Sequence, residues 1–106
     1  MSGYLFSVQT ARNDDRLAII PTGEFDMSTA DKLDDAVRAA EATDAKRIII
    51  DLTEVTFMDS TGLKVLLEAA ARARANSNRL RLIRGRRRVQ RVFELTKTED
   101  FLPFLD

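Results

Sequence analysis

The spacing of apolar residues predicts a chain that alternates between strands and helices. Two extended apolar runs, at residues 4–11 and 16–25, flank the polar turn at residues 12–15. They predict an antiparallel hairpin. Pro21 near the end of the second run indicates an edge position or a bulge, because proline cannot donate to a sheet ladder.

The remainder of the chain predicts three helices separated by two strands. Residues 28–43 carry apolar side chains at helical spacing, with Ser28 and Asp31 placed as in a capping box. A second helical pattern begins at Leu63 and a third ends near Lys97. Strands are predicted at 46–52 and 79–84, and the unbroken isoleucines of the first favour a central strand covered on both faces. The order ββαβαβα predicts an α/β fold with a mixed four-stranded sheet covered by helices.

Length and composition favour a single folded domain that spans residues 1–106. The chain is 44% apolar and 32% charged, which is typical of a folded protein. No apolar run approaches the roughly 20 residues that a membrane span needs, and the first residues lack the pattern of a signal peptide. We therefore expect a cytoplasmic protein.

The chain contains neither cysteine nor histidine. Disulfides, thiol nucleophiles, a self-contained Ser-His-Asp triad and the usual zinc sites are therefore excluded. Any catalysis would depend on carboxylates, hydroxyls, lysines and arginines. We expect a protein that is not an enzyme and that holds no metal or cofactor.

One short segment, between a predicted buried strand and a predicted helix, contains an acid, two hydroxyls and a glycine. Residues 59–62 read Asp-Ser-Thr-Gly. Asp59 or Ser60 suits the N-cap of the following helix, and Gly62 allows a close approach of the backbone. The alternative is that Ser60 accepts a phosphate. We expect such a phosphate to bind the amides of Gly62 and Leu63 with little rearrangement, and to oppose a docked partner by its charge.

Three segments together resemble a STAS domain of the anti-sigma factor antagonist kind. They are "PTGEFD" at 21–26, "IIIDLTEVTFMDSTGLKVLLEA" at 48–69 and "RRVQRVFELTKTEDFLPFLD" at 87–106. The resemblance implies binding to an anti-sigma factor that is also a serine kinase, and release when Ser60 is phosphorylated. It further implies a phosphatase, and it makes Asp26 the loop acid beside the site. The expected partner surface comprises Asp26, Asp59, Ser60, Thr61, Gly62 and Lys64.

Several alternatives remain open at this level. Asp26 could instead help to cap the first helix, and Thr61 is a second, weaker candidate for phosphorylation. Asp51 resembles the phosphorylated aspartate of a receiver domain only if other acids gather beside it. A STAS scaffold or transport-complex accessory that is never phosphorylated is the main rival. An enzyme or nucleotide binder using Asp59, Ser60 and Lys64 is disfavoured, because the chain has no histidine base and no glycine-rich phosphate loop.

Charge is unevenly distributed along this electrically neutral chain. Residues 14–59 hold twelve acids and five bases, whereas residues 79–91 hold seven arginines and no acid. A solvated sheet end is the simplest interpretation of the arginines. The functional alternatives are that the arginines bind an acidic protein, a phosphorylated ligand or a nucleic acid. Nucleic acid is the least favoured, because no aromatic residues are interleaved with the arginines. No membrane partner is expected.

The apolar tail is predicted to dock without forming a full element. We expect a monomer or a weak homodimer, with Phe101, Leu102, Phe104 and Leu105 as the contact surface if the chain self-associates. Lys64, Glu68 and Arg72 are spaced four apart on the second helix, which indicates solvated ion pairs.

Overall fold

A computed structural model describes residues 6–105 of the chain. Within that range the chain forms five strands, three helices and one short 3-10 helix. In chain order they are β1 (Ser7–Asn13), β2 (Arg16–Phe25), α1 (Ala30–Glu41), β3 (Arg47–Asp51), β4 (Val55–Met58), α2 (Ser60–Ala75), β5 (Leu80–Ile83), α3 (Arg87–Thr96) and the 3-10 helix Glu99–Phe101. The predicted hairpin and all three helices are confirmed, although Tyr4 and Leu5 of the first predicted strand lie outside the described residues.

The strands form one mixed sheet. β1 is antiparallel to β2, whereas β3 is parallel to both β2 and β5, which gives the order β1-β2-β3-β5. β4 pairs in parallel with the last part of β2, beyond the end of β3. Because the parallel strands are joined through helices, the carboxyl ends of β2 and β4 meet at one edge of the sheet.

The predicted α/β class with a mixed sheet is confirmed, but within residues 6–105 the sheet has five strands rather than the predicted four. The extra strand, β4, was not predicted, because it has only four residues, of which Thr56 and Phe57 are exposed. Its two buried residues, Val55 and Met58, do not alternate regularly. A strand this short lacks the repeated pattern by which a longer strand is recognised.

The helices and one face of the sheet enclose the core. Ile48 and Ile50 of β3 are buried, as are Leu80 and Leu82 of the neighbouring β5. Ile49 points to the opposite face and is only half-buried. The expectation that β3 is fully covered on both faces was therefore wrong, since Ile49 keeps part of its surface exposed.

Pro21 lies in the interior of the sheet and is buried. The parallel pairing of β2 with β3 ends at Ile19, and its pairing with β4 begins at Gly23. Pro21 thus occupies the interval between two partner strands, where its missing N–H breaks no ladder. The predicted bulge occurs two residues later, where the register shifts between Gly23 and Glu24.

The tail docks against the last strand, as predicted. The Leu82 amide donates to the Pro103 carbonyl at 3.0 Å, and the Leu105 amide donates to the Leu82 carbonyl at 2.8 Å. Leu102 is buried, and the ring of Phe104 meets that of Phe93 edge to face. Two members of the expected self-association surface, Leu102 and Phe104, are therefore used inside the domain.

Candidate functional site

Asp59 organises the turn between β4 and α2. It is the N-cap of α2, and its Oδ1 accepts hydrogen bonds from the amides of Thr61 at 2.9 Å and Gly62 at 3.1 Å. Its second oxygen, Oδ2, accepts from the Met27 amide at 3.2 Å. One carboxylate thus caps a helix and also ties that helix to the loop between β2 and α1.

Asp26 organises that second loop. Its Oδ1 accepts from the amide of Ser28 at 2.9 Å and from the Ser28 hydroxyl at 2.7 Å. The hydroxyl of Thr29 also lies 3.3 Å from this oxygen, while the Asp26 amide donates to the Thr29 hydroxyl oxygen. The Ser28 hydroxyl bond is the largest cause that lowers the pKa of Asp26 below its usual value. Asp26 is therefore charged at neutral pH.

The predicted capping box at Ser28 and Asp31 was wrong. α1 begins at Ala30 with Thr29 as its N-cap, and the Thr29 side chain makes no capping hydrogen bond. The Ser28 hydroxyl bonds Asp26 instead. Local bonding within the loop competed with capping, as it commonly does for Ser, Thr and Asp.

Ser60 is the first residue of α2 and is exposed. Within residues 6–105 its hydroxyl makes no hydrogen bond, so the oxygen is open to a partner. The neighbouring Thr61 is half-buried, and Lys64 lies one helical turn further along, exposed on the side of Ser60. The structure therefore places Ser60, Asp59 and Lys64 on one accessible end of α2, with Asp26 in the adjacent loop.

Gly62 allows α2 to begin directly against β2. A Cβ atom at this position would lie 2.8 Å from the Phe25 carbonyl oxygen and 3.0 Å from the Met58 side chain. The Asp59 amide also donates to that Phe25 carbonyl at 3.3 Å. Gly62 thus has a packing role, and it is buried rather than available to a partner.

The expectation about phosphate binding needs correction. The Gly62 amide already donates to the Asp59 side chain, and the Leu63 amide donates to the Asp59 carbonyl at 3.0 Å. Both amides that we expected to receive a phosphate are therefore occupied. The Asp59 side chain satisfies the Gly62 amide as an N-cap, and the Asp59 carbonyl accepts from the Leu63 amide in the first regular helical hydrogen bond.

Two apolar side chains beside the acids were missed by the sequence reasoning. Met27 is 78% exposed and Phe57 is 42% exposed. Together with Asp26, Ser28 and Asp59 they line a shallow cavity of about 200 Å³. The only signal in the sequence was their position, since Met27 follows Asp26 and Phe57 lies two residues before Asp59.

Other sequence candidates do not converge on this turn. The Asp51 carboxylate accepts from the amide and hydroxyl of Thr53, whereas Asp14 and Asp15 lie in the hairpin turn, near the start of β3. Within residues 6–105 no group of three or more acids is placed to hold a metal ion. The receiver-domain interpretation of Asp51 therefore lacks its acidic neighbours.

The predicted ion-pair ladder along α2 was also wrong. Arg72 turns away from Glu68 and binds α1, with its Nε 3.1 Å from a carboxylate oxygen of Glu41 and its Nη2 3.8 Å from Asp34. These ion pairs join α2 to α1, whereas the predicted pairs would have lain along the exposed face of α2. Lys64 is exposed and forms no ion pair within residues 6–105, so it is available to a partner at the Ser60 end of α2.

Comparison with known proteins gives the family. The sequence model of the STAS domain matches residues 7–106. The anti-sigma-B factor antagonist of Listeria monocytogenes is 36% identical over 91 residues, which cover 86% of this chain and 80% of the relative.

Solved structures agree with this match. An anti-sigma factor antagonist from Mycobacterium paratuberculosis superposes with a TM-score of 0.85 at 25% identity, covering 97% of this chain and 87% of its own. Unphosphorylated SpoIIAA shares the fold, with a TM-score of 0.72 at 19% identity over 96% of this chain and 89% of its own. In the part of the chain that the structure describes, no helix is long and apolar enough to cross a membrane. The chain belongs to the STAS domain family.

Proposed function

We propose that this STAS domain is an anti-sigma factor antagonist that is switched by phosphorylation of Ser60. Unphosphorylated, it binds an anti-sigma factor through the surface formed by Asp26, Asp59 and the exposed end of α2, and so regulates transcription that depends on a sigma factor. The relationship to anti-sigma-B factor antagonists supports the partner class. The single structural observation that carries the switch is the exposed hydroxyl of Ser60, which makes no hydrogen bond within residues 6–105 and directly follows Asp59.

The partner supplies the catalysis in this proposal. The Ser60 Oγ attacks the γ-phosphorus of ATP held by the anti-sigma factor acting as a serine kinase, its proton passes to a base of that kinase, and ADP leaves. The chain has no histidine that could serve as the base, so the proposal places the base on the kinase. A phosphatase would return the protein to its binding state.

The effect of the phosphate would be electrostatic. Phosphorylation adds about two negative charges at neutral pH. Because the amides of Thr61, Gly62 and Leu63 are already bonded, the phosphate would remain at the surface instead of being absorbed by the helix end. Its charge would add to those of Asp59 and Asp26. Like charges brought together at an interface oppose docking by several kcal/mol.

Intact mass after incubation with Mg-ATP and host extract tests the proposal. The wild type and the matched control Thr61→Ala should each gain one phosphate, and Ser60→Ala should gain none. A phosphate on Thr61, or no gain while a known antagonist is modified in the same extract, would contradict the switch. The second result would favour a STAS scaffold or transport-complex accessory that is not phosphorylated.

A further inference from the structure

The seven arginines between residues 79 and 91 divide into two groups in the structure. Four of them are engaged inside the domain. Arg79 donates to the Glu41, Thr43 and Ala45 carbonyls, Arg81 to the Asn78 and Leu80 carbonyls, Arg84 to Glu99 while covering the Phe104 ring, and Arg86 to the Thr53 carbonyl. More than half of the basic segment is therefore accounted for by the fold.

The remaining three arginines form one exposed surface. Arg87, Arg88 and Arg91 are exposed, and within residues 6–105 their side chains form no hydrogen bond or ion pair. Spacings of three and four residues place them on one side of α3, followed after one more turn by Leu95, which is 70% exposed. These four residues are called the basic face.

The arrangement is unfavourable for an isolated domain. Arg87 and Arg88 occupy the first two positions of α3, where the helix dipole disfavours positive charge. Arg91 lies four residues from Arg87, a spacing at which like charges repel. The N-cap residue Arg86 offers no side-chain acceptor to the first turn. A negatively charged partner would offset all three effects at once.

We propose that the basic face binds an acidic segment of a partner protein, one that presents two or three carboxylates beside an apolar side chain. Three guanidinium groups that have no partner among residues 6–105 match carboxylates by charge and by bidentate geometry. Leu95 supplies a contact for the apolar side chain. This surface belongs to α3 and shares no residue with the turn that holds Ser60, so the proposal goes beyond the switch proposed above.

Other negatively charged partners suit the basic face less well. It contains no aromatic side chain on which a nucleic acid base could stack. The apolar side of α3, with Val89 and Phe93, is buried in the core, so the helix cannot insert into a membrane surface. Exposed Glu94 lies beside the face and interrupts any longer basic track. A short protein segment is favoured by these limits.

Amide chemical shifts measured on the labelled protein test this proposal. The probe is a synthetic peptide in which glutamates recur at helical spacing beside leucine, and its control replaces each glutamate by glutamine. The acidic peptide should shift the amides of Arg87, Arg88, Arg91 and Leu95. Arg87→Glu/Arg91→Glu should weaken its affinity by about tenfold, since two attractive charge pairs become repulsive.

Arg16→Glu is the matched control, because Arg16 is exposed on β2, and within residues 6–105 its side chain lacks an ion pair. It should change the affinity by less than about twofold. The melting temperature of the double variant should lie within a few degrees of wild type, because both positions are exposed and the favourable acid introduced at position 87, at the helix N-terminus, offsets the repulsion between the acid introduced at position 91 and Glu94. Lost binding would then not reflect unfolding.

Several outcomes would overturn the proposal. They are shifts located away from α3, an equal loss of affinity in Arg16→Glu, and equal binding of the glutamine peptide. Tighter binding of duplex DNA or phosphatidylserine vesicles than of the acidic peptide, or self-association of the protein through this face, would assign it to another occupant. Phosphorylation of Ser60 is not needed for any of these measurements, so the proposed switch can fail while this proposal stands.

Discussion

At the scale of single residues, Asp59 is the side chain on which the site depends most. Its two oxygens serve different purposes, one capping α2 and the other holding the Met27 amide. The sequence predicted the cap, because aspartate before a helical pattern is a common N-cap. It did not predict the second bond, which joins residues 32 positions apart and depends on the meeting of two strand ends.

The two roles of Asp59 can be separated by substitution. Asp59→Ser keeps an N-cap acceptor but removes the second oxygen, so it should cost about 0.5–1.5 kcal/mol of unfolding free energy, the value of one hydrogen bond. Asp59→Ala removes both functions and should cost about 1–2 kcal/mol more through the lost cap. Urea unfolding measures the free energies. Hydrogen exchange at the Met27 amide should accelerate equally in both variants, and unchanged exchange in Asp59→Ser would contradict the tether.

At the scale of elements, the junction of α2 with β2 requires Gly62. Helix propensity alone predicts that alanine at this position would stabilise α2 by about 1 kcal/mol. The Phe25 carbonyl oxygen would lie 2.8 Å from the new Cβ, and a backbone atom inside the sheet cannot easily move. Gly62→Ala should therefore lower the unfolding free energy by about 1–3 kcal/mol, as overpacking does.

An exposed position in the same helix provides the comparison for Gly62. Ala71→Gly should also destabilise, by about 1 kcal/mol, because Ala71 faces solvent and only propensity acts there. Urea unfolding should thus show a lower unfolding free energy in both variants, although one replaces glycine by alanine and the other replaces alanine by glycine. A Gly62→Ala protein as stable as the wild type would mean that α2 can shift away from β2.

The elements also show which patterns could be read from the sequence. The helical repeats of α2 and α3 were predicted, because such repeats are encoded locally, although α2 begins at Ser60, three residues before the predicted repeat. β4 was missed because four residues hold too few repeats. The ion pairs of Arg72 with Glu41 and Asp34 could not be predicted, since they link helices that the sequence does not show to be neighbours. The same limit applied to the arginines, which only the fold divides into internal and exposed groups.

At the scale of the whole molecule, the family motif predicted the fold class and the candidate site better than composition did. Composition excluded several chemistries but could not locate a surface. The turn at residues 59–62 located it, and the fold then added Met27 and Phe57. The sequence could not predict which backbone amides at the site are already hydrogen-bonded. The amides of Gly62 and Leu63 looked free in the sequence and are bonded in the folded domain.

The packing of the apolar tail bears on whether the protein can form a dimer. With Leu102 and Phe104 packed inside, the exposed apolar side chains of the tail are Phe101, at 60%, and Leu105, at 41%. A stable dimer buries about 1,200–2,000 Å² in total, which two partly exposed side chains on each copy cannot supply. We therefore expect a monomer at tens of micromolar in sedimentation equilibrium.

The same measurement on two variants distinguishes the tail from other surfaces. Phe101→Ser should leave both the mass and the stability unchanged, because Phe101 is largely exposed. Leu102→Ala should leave the mass unchanged but lower the unfolding free energy by about 2–4 kcal/mol, the cost of deleting a buried leucine. A dimer in the wild type that disappears in Phe101→Ser would show that the tail associates after all. A dimer that persists in Phe101→Ser would point to a surface outside the tail, and either dimer would refute the monomer argued from buried area.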